Sequence, residues 1–306
     1  MDKRHGYLSV NLKRGENTLD ETVHRFDHQA MHTVFEIFST HPDSEYAGQA
    51  AHEAFRLLDR IESNLSRFIS NSDISRINRS PHEKIRVSED TMACLKIAQR
   101  MEQQTGGHFN ITIGRTIDLY KQNQGGQTNE APSALRHLSL DTDRYSALLL
   151  HDHALLDLGG IAKGYAIDKI IALLDEWEIR SALVHGGQST VFAYGSYRHH
   201  PGWPVSFSFP DADQVKLYSI EKEAISASGL EKGAHIINPE TMRPVKHHTV
   251  WSAAPTAAEA DALSTAWMSM NPYQIASFCE SRKGYGGIKY TEKSKVRTYQ
   301  FGRLKS

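Results

Sequence analysis

The stretch LDLGGIAKGYAIDK, residues 156–169, constrains the fold more than any other part of the chain. Leu156 and Leu158 suit a buried strand, but Gly159-Gly160 weakens any continuation of it, because glycine loses the most backbone freedom on ordering. From Ala166 onward, "AIDKIIALLDEWEI" (166–179) carries apolar residues at helical spacing. The chain must therefore pass from strand to helix over a glycine pair, with Lys163 in the turn. Bare backbone lets a ligand approach the amides closely, and the following helix points its positive end there. Lys163 adds a point charge. A phosphate-binding strand–loop–helix follows; a tight turn with a solvated lysine accounts for the same residues, and the spacing is neither GxGxxG nor a P-loop.

Around this turn, the periodicity predicts further elements. "HTVFEIFST" (32–40) alternates as a strand, and "SEYAGQAAHEAFRLLDRIESNLS" (44–66) has helical spacing, with Ser44 as its N-cap. "FISNSDISRINRSP" reads as a polar turn region. "SEDTMACLKIAQRMEQQTGG" (88–107) is a second helix, closed by Gly106-Gly107. "KQNQGGQTNEAPS" (121–133) is an exposed low-complexity loop. Two short strands flank "HDH" in "YSALLLHDHALLDLGG", and "SALVHGG", "VFAYGS", "WPVSFSFP" (203–210), "EKEAISASG", "AHIINPE" and "HTVWSAAPT" read as strands. A helix over 257–270, "AAEADALSTAWMSM", follows. Strands and helices in mixed order, without repeated βαβ units, predict an α+β fold with a largely antiparallel sheet flanked by helices. Residues 1–28 read as a polar arm, and 29–306 as one domain.

Composition narrows the function classes. Lys plus Arg is 35 and Asp plus Glu 36, a net charge of −1, so no nucleic-acid coat is indicated. The two cysteines, Cys94 and Cys279, lie far apart with no CxxC spacing, which excludes a thiolate zinc site. The N-terminus lacks an apolar leader segment, and nothing approaches the ~18 consecutive apolar residues of a membrane span. A cytoplasmic protein is expected, or a periplasmic one if a leader was trimmed.

Two further stretches can carry chemistry. In "EADALSTA", Asp261 and Thr265 are four apart and share a helix face. A carboxylate and a hydroxyl so placed can hold a hard cation such as Mg²⁺. A capping carboxylate beside a threonine bonded to its own helix is the alternative. In "HIINPE", His235 stands at a strand start after the small polar run "SASG", in a structural or a catalytic role.

Taken together, "DLGGIAKGYAIDK", "HIINPET" and "APTAAEADALSTA" resemble, in order and spacing, the ApbE family of FAD:protein FMN transferases. "MHTVFEI", "LSRFISNSDISRIN", "TGGHFNITIG", "GG" at 186–187 and "GWPVSFSFP" resemble its other segments, so the likeness covers roughly residues 30–272. The resemblance implies a T-fold-like core with a smaller α/β portion. It also implies Mg²⁺-dependent transfer of FMN from FAD to a Thr or Ser hydroxyl of an acceptor flavoprotein. By that likeness the metal falls to Asp261 and Thr265, with the Gly160 carbonyl, and with Ser264 close by. FAD contacts fall to Met31, Phe68 (stacking on the flavin), His108, Phe109, Asn110, Asp157, Lys163 and Ile237. His235 corresponds to the base for the acceptor hydroxyl.

Four positions depart from the family pattern. His32 and Met242 replace glycines, while Asn110 and Asn238 replace aspartates. The segment between Gly229 and His235 is shorter than the family's. Two other readings therefore stand beside transfer: an Mg²⁺-dependent hydrolase releasing FMN and AMP from FAD, and a flavin-binding protein without catalysis.

Overall fold

The computed structural model describes residues 8–10, 22–122, 137–197, 200–208, 215–229, 236–246, 248–291 and 297–304. Its centre is an eight-stranded, wholly antiparallel sheet. The spatial order is Arg297–Gly302, Gly286–Thr291, His248–Ala254, Glu223–Ser228, Thr190–Tyr194, Ala182–Gly186, Thr33–Ser39 and His24–Ala30. The inner strands, such as Ala182–Gly186, Thr190–Tyr194 and His248–Ala254, are buried almost throughout because both faces of the sheet are covered there. Successive side chains point to opposite faces. Val184, Phe192, Ala224 and Val250 join a core shared with the helices, whereas Leu183, Val191, Ile225 and Trp251 face a second core. That second core is closed by Trp203, Val205, Phe207 and Ile220 from a three-stranded sheet of Leu8–Val10, Trp203–Ser208 and Val215–Ile220.

On the helical face lie α1 (Ser44–Leu65), α2 (Asp73–Arg79), α3 (Glu89–Gln104), α4 (Gly114–Lys121), α5 (Ala162–Glu176), α6 (Ala257–Ser269) and α7 (Pro272–Glu280). A small sheet of Lys84–Arg86, Ser146–Leu149 and Leu138–Asp141 accompanies α2 and α3. The α+β class and the antiparallel sheet agree with the sequence reading. Both cysteines are buried and unpaired. No described helix is long and apolar enough to cross a membrane.

Several expectations are corrected. The arm does not end at residue 28: His24–Ala30 pairs along its whole length with Thr33–Ser39, and His28 stacks on Phe55 and bonds Asp59 at 2.7 Å. Asp43, not Ser44, caps α1, accepting the N–H groups of Glu45 and Tyr46. The "polar turn" after α1 contains α2, started by the Ser72 hydroxyl accepting the Ser75 N–H. α5 begins four residues earlier than expected, at Ala162, so Gly164 lies inside it. The loop at 121–133 falls outside the described residues from 123 onward.

Gly164 is explained by packing. A Cβ there would lie 2.1 Å from the Ala257 carbonyl oxygen, so the bare position lets α5 press against the start of α6. The two helices then cap each other. Asp168 of α5 accepts the N–H groups of Ala257 and Ala258 at 2.7 and 2.9 Å, and Asp261 of α6 accepts that of Gly164 at 3.2 Å. Each helix places a carboxylate at the other's positive end.

Candidate functional site

The glycine turn is held from three sides. The Asn78 side chain, at the end of α2, accepts the Leu156 N–H at 2.7 Å and donates to the Leu156 carbonyl at 3.0 Å. The Asp157 N–H bonds the Ile111 carbonyl at 2.8 Å, and Asp157 Oδ1 accepts the Gly159 N–H at 2.8 Å. This Asx-type turn leads Gly160 onto α6, where a Cβ would meet Thr265 Oγ1 at 3.0 Å and the Phe109 ring at 3.3 Å. The sequence reading expected bare backbone here for a ligand; in the structure the close neighbour of Gly160 is Thr265.

Asp261 is not the capping carboxylate of its own helix. Thr256 caps α6, and Asp261 sits a turn further on, its side chain 4% exposed. Lys163 Nζ lies 3.2 Å from its Oδ2, with the Gly164 N–H at 3.2 Å and the Thr190 and Ser226 hydroxyls at 3.4 Å. All of these contacts are longer than the ~2.7–2.9 Å usual for charge-assisted bonds. Thr265 donates its hydroxyl hydrogen to the Asp261 carbonyl at 3.2 Å, as an internal helical threonine does, which leaves its lone pairs for another partner. Ser264 is fully buried behind this pair, bonded to the Asp261 carbonyl and to Ser228, and does not reach the cleft.

Asp261, Thr265, Lys163 and Gly160 together line part of a cleft of about 490 Å³. Its walls also include Met31, Phe68, His108, Phe109, Asn110, Asp157 and Ile237, so folding gathers the sequence-predicted FAD contacts in one place. Met31 and His32 form the tight turn between the first two strands of the sheet, both with positive φ (51° and 58°). Phe68 is 66% exposed on the rim, with His32 edge-on to its ring at 6.0 Å between centroids. His108 is buried, with Nδ1 2.8 Å from Ser269 Oγ and Nε2 3.2 Å from Gln274 Nε2; burial lowers its pKa. Asp157 is turned inward: its second oxygen accepts from Arg67 at 3.0 Å, so the protein already occupies both oxygens. His235 lies outside the described residues.

The donors around Asp261 are hard oxygens, as a magnesium-like cation requires. Among the described residues no group of three His, Cys, Asp or Glu is placed to hold a metal ion.

The ApbE family model matches residues 31–288. The chain belongs to the ApbE family. The relatives it resembles include the FAD:protein FMN transferases of Vibrio cholerae (25% identical, 76% of each chain covered) and Escherichia coli (27%, covering 70% of this chain and 69% of the other). That of Treponema pallidum is 28% identical, over 75% of this chain and 73% of its own. In fold the chain is similar to the flavinyl transferase ApbE of Pseudomonas stutzeri, at TM-score 0.80 and 22% identity over 94% and 96% of the two chains.

The departures from the ApbE pattern have local explanations. His32 (φ 58°) and Met242 (φ 51°) lie in the left-handed backbone region, which glycine enters freely. Asn110 Oδ1 accepts the N–H and hydroxyl of Thr112, both at 2.7 Å, and Asn238 Oδ1 accepts the Glu240 N–H at 2.9 Å. Both need an acceptor rather than a charge. Sequence reasoning missed Arg67, Asn78 and the cap made by Asp168. Nothing in the spacing marks these partners, since they meet across 90, 78 and 89 residues respectively.

Proposed function

We propose that this chain is an FAD:protein FMN transferase, moving the FMN moiety of FAD to a Thr or Ser hydroxyl of an acceptor flavoprotein and releasing AMP. One observation carries the reading: a hard-oxygen and lysine cluster lines the same cleft as an exposed aromatic ring. Phe68 suits the flat flavin. Lys163, beside Asp261, suits the anionic pyrophosphate. Asp261, Thr265 and the Gly160 backbone would hold Mg²⁺, which when bound neutralises charge on the phosphate oxygens.

In the reaction, the acceptor hydroxyl oxygen forms a bond to the FMN phosphorus. The bond from that phosphorus to the bridging oxygen breaks, and its electron pair leaves with AMP. The hydroxyl proton needs a base. His108 is poorly suited, being enclosed by Ser269 and Gln274, and we assign the role to His235 on the family pattern. Lys163 orients the phosphates, while Phe68 fixes the ring.

The test is incubation with FAD, Mg²⁺ and a flavoprotein acceptor, read by in-gel flavin fluorescence. Covalent fluorescence that disappears in Asp261→Asn is expected. Free FMN and AMP without labelling would make the chain a hydrolase; FAD left intact would make it a binding protein.

A further inference from the structure

The geometry points to Arg67 as a positioning residue that ties the flavin platform to the cation site of the cleft. This rests on the functional reading above. Arg67 is the residue next to Phe68, yet its side chain is only 9% exposed. Its guanidinium makes a fork to Asp118 on α4, with Nη1 2.8 Å from Oδ2 and Nη2 2.6 Å from Oδ1. Its Nε donates to Asp157 Oδ2 at 3.0 Å. Its flat face lies under the Phe68 ring, with Cζ 4.5 Å from the ring centroid. The Arg67 carbonyl is in turn pinned by the Ser75 hydroxyl at 3.0 Å.

Two consequences follow. One face of Phe68 is backed by a fixed cation, so the ring offers its other face as a platform of set height and tilt. And the Asp157 carboxylate, held by Arg67 on one oxygen, uses the other to hold the Gly159 N–H and thereby the turn that lays Gly160 against Thr265. The planar fork suits this double duty; a lysine could replace the charge but not the three directed donors or the stacking face. The distance between flavin platform and cation site is thus set through one side chain.

The test uses the full chain with Arg67→Met and Arg67→Lys. It reads FAD affinity by fluorescence quenching, the visible circular dichroism of the bound flavin, and the rise in Tm that Mg²⁺ produces without FAD. Arg67→Met is expected to weaken FAD binding about tenfold or more, to change the flavin dichroism, and to shrink the Mg²⁺-induced rise. Arg67→Lys should recover part of the Mg²⁺ response but not the dichroism. A merely structural brace would lower Tm and leave affinity, dichroism and Mg²⁺ response alone; that result overturns the assignment. If Arg67→Met does not fold, unchanged dichroism and affinity in Arg67→Lys overturn it equally. Wild-type protein that binds no FAD sinks the functional reading and this one with it, whereas failure in the variants alone leaves transfer standing.

Discussion

Lys163 Nζ lies 3.2 Å from Asp261 Oδ2 and 3.4 Å from the Gly159 carbonyl, so the cation of the glycine turn and the carboxylate of α6 neutralise each other. A divalent cation on Asp261 would compete with that ammonium and free it for a phosphate. Lys163→Met is therefore expected to lower Tm without Mg²⁺. The loss should be about 1–3 kcal/mol, below the ~3–5 of a fully buried pair because Lys163 is 21% exposed. Added Mg²⁺ should raise the variant's Tm more than the wild type's, while FAD affinity falls. Equal Mg²⁺ shifts in both proteins would show that the ammonium and the cation do not share the carboxylate.

Phe68 is a rim residue, not part of either core, which separates its binding role from stability. Phe68→Ala should leave Tm nearly unchanged and weaken FAD binding about threefold to tenfold, from the ~0.5–1.5 kcal/mol of a stacked pair. Titration of FAD into both proteins measures it. Unaltered affinity would place the flavin elsewhere.

Residues 24–28 form most of an edge strand, so an N-terminal cut that spares the eight-stranded sheet lies before them, though it removes Leu8–Val10 from the three-stranded sheet. A chain starting at residue 22 should keep the eight-stranded sheet. One starting at 29 loses the His28–Asp59 bond, the His28–Phe55 stack and much of the Phe35-side pairing, and should melt earlier. Comparable melting of the two truncations would mean that the edge strand contributes nothing.

The elements with strong period were legible: α1 and α6 fall within a residue of where the apolar spacing puts them and α3 within three, and the central strands alternate between two cores. Asp261 and Thr265 were legible as sharing one helix face; Gly160 joined them only through the resemblance to the ApbE family. What escaped is pairing over long sequence distance. His24–Ala30 mixes charged and apolar residues because it is an edge strand, half exposed, and so it resembled a loose arm. α2 is too short and polar to show a period; its cap at Ser72 was the only local sign. Asp157 reads as a ligand carboxylate until Arg67 is seen beside it.

Asp168 supplies the pH prediction. It caps α6 through Ala257 and Ala258 from a partly buried position, and burial pushes its carboxyl from the ordinary 3.8 up to about 7, although the two N–H donors pull the other way. The nearby carboxylates of Glu259 and Asp261 add to the rise. A carboxyl whose folded pKa exceeds its unfolded value holds its proton more tightly when folded. Its stabilisation is thus complete below the unfolded pKa and is lost as pH climbs through about 7. Asp168→Asn fixes the neutral form with the same shape and removes this dependence. The Tm of Asp168→Asn minus that of the wild type should therefore become more positive from pH 5 to pH 8, whatever its value at the start. Melting curves of the two proteins at four pH values across that window measure the difference directly. A constant gap would mean that Asp168 is already ionised throughout, with the helix N-terminus outweighing burial.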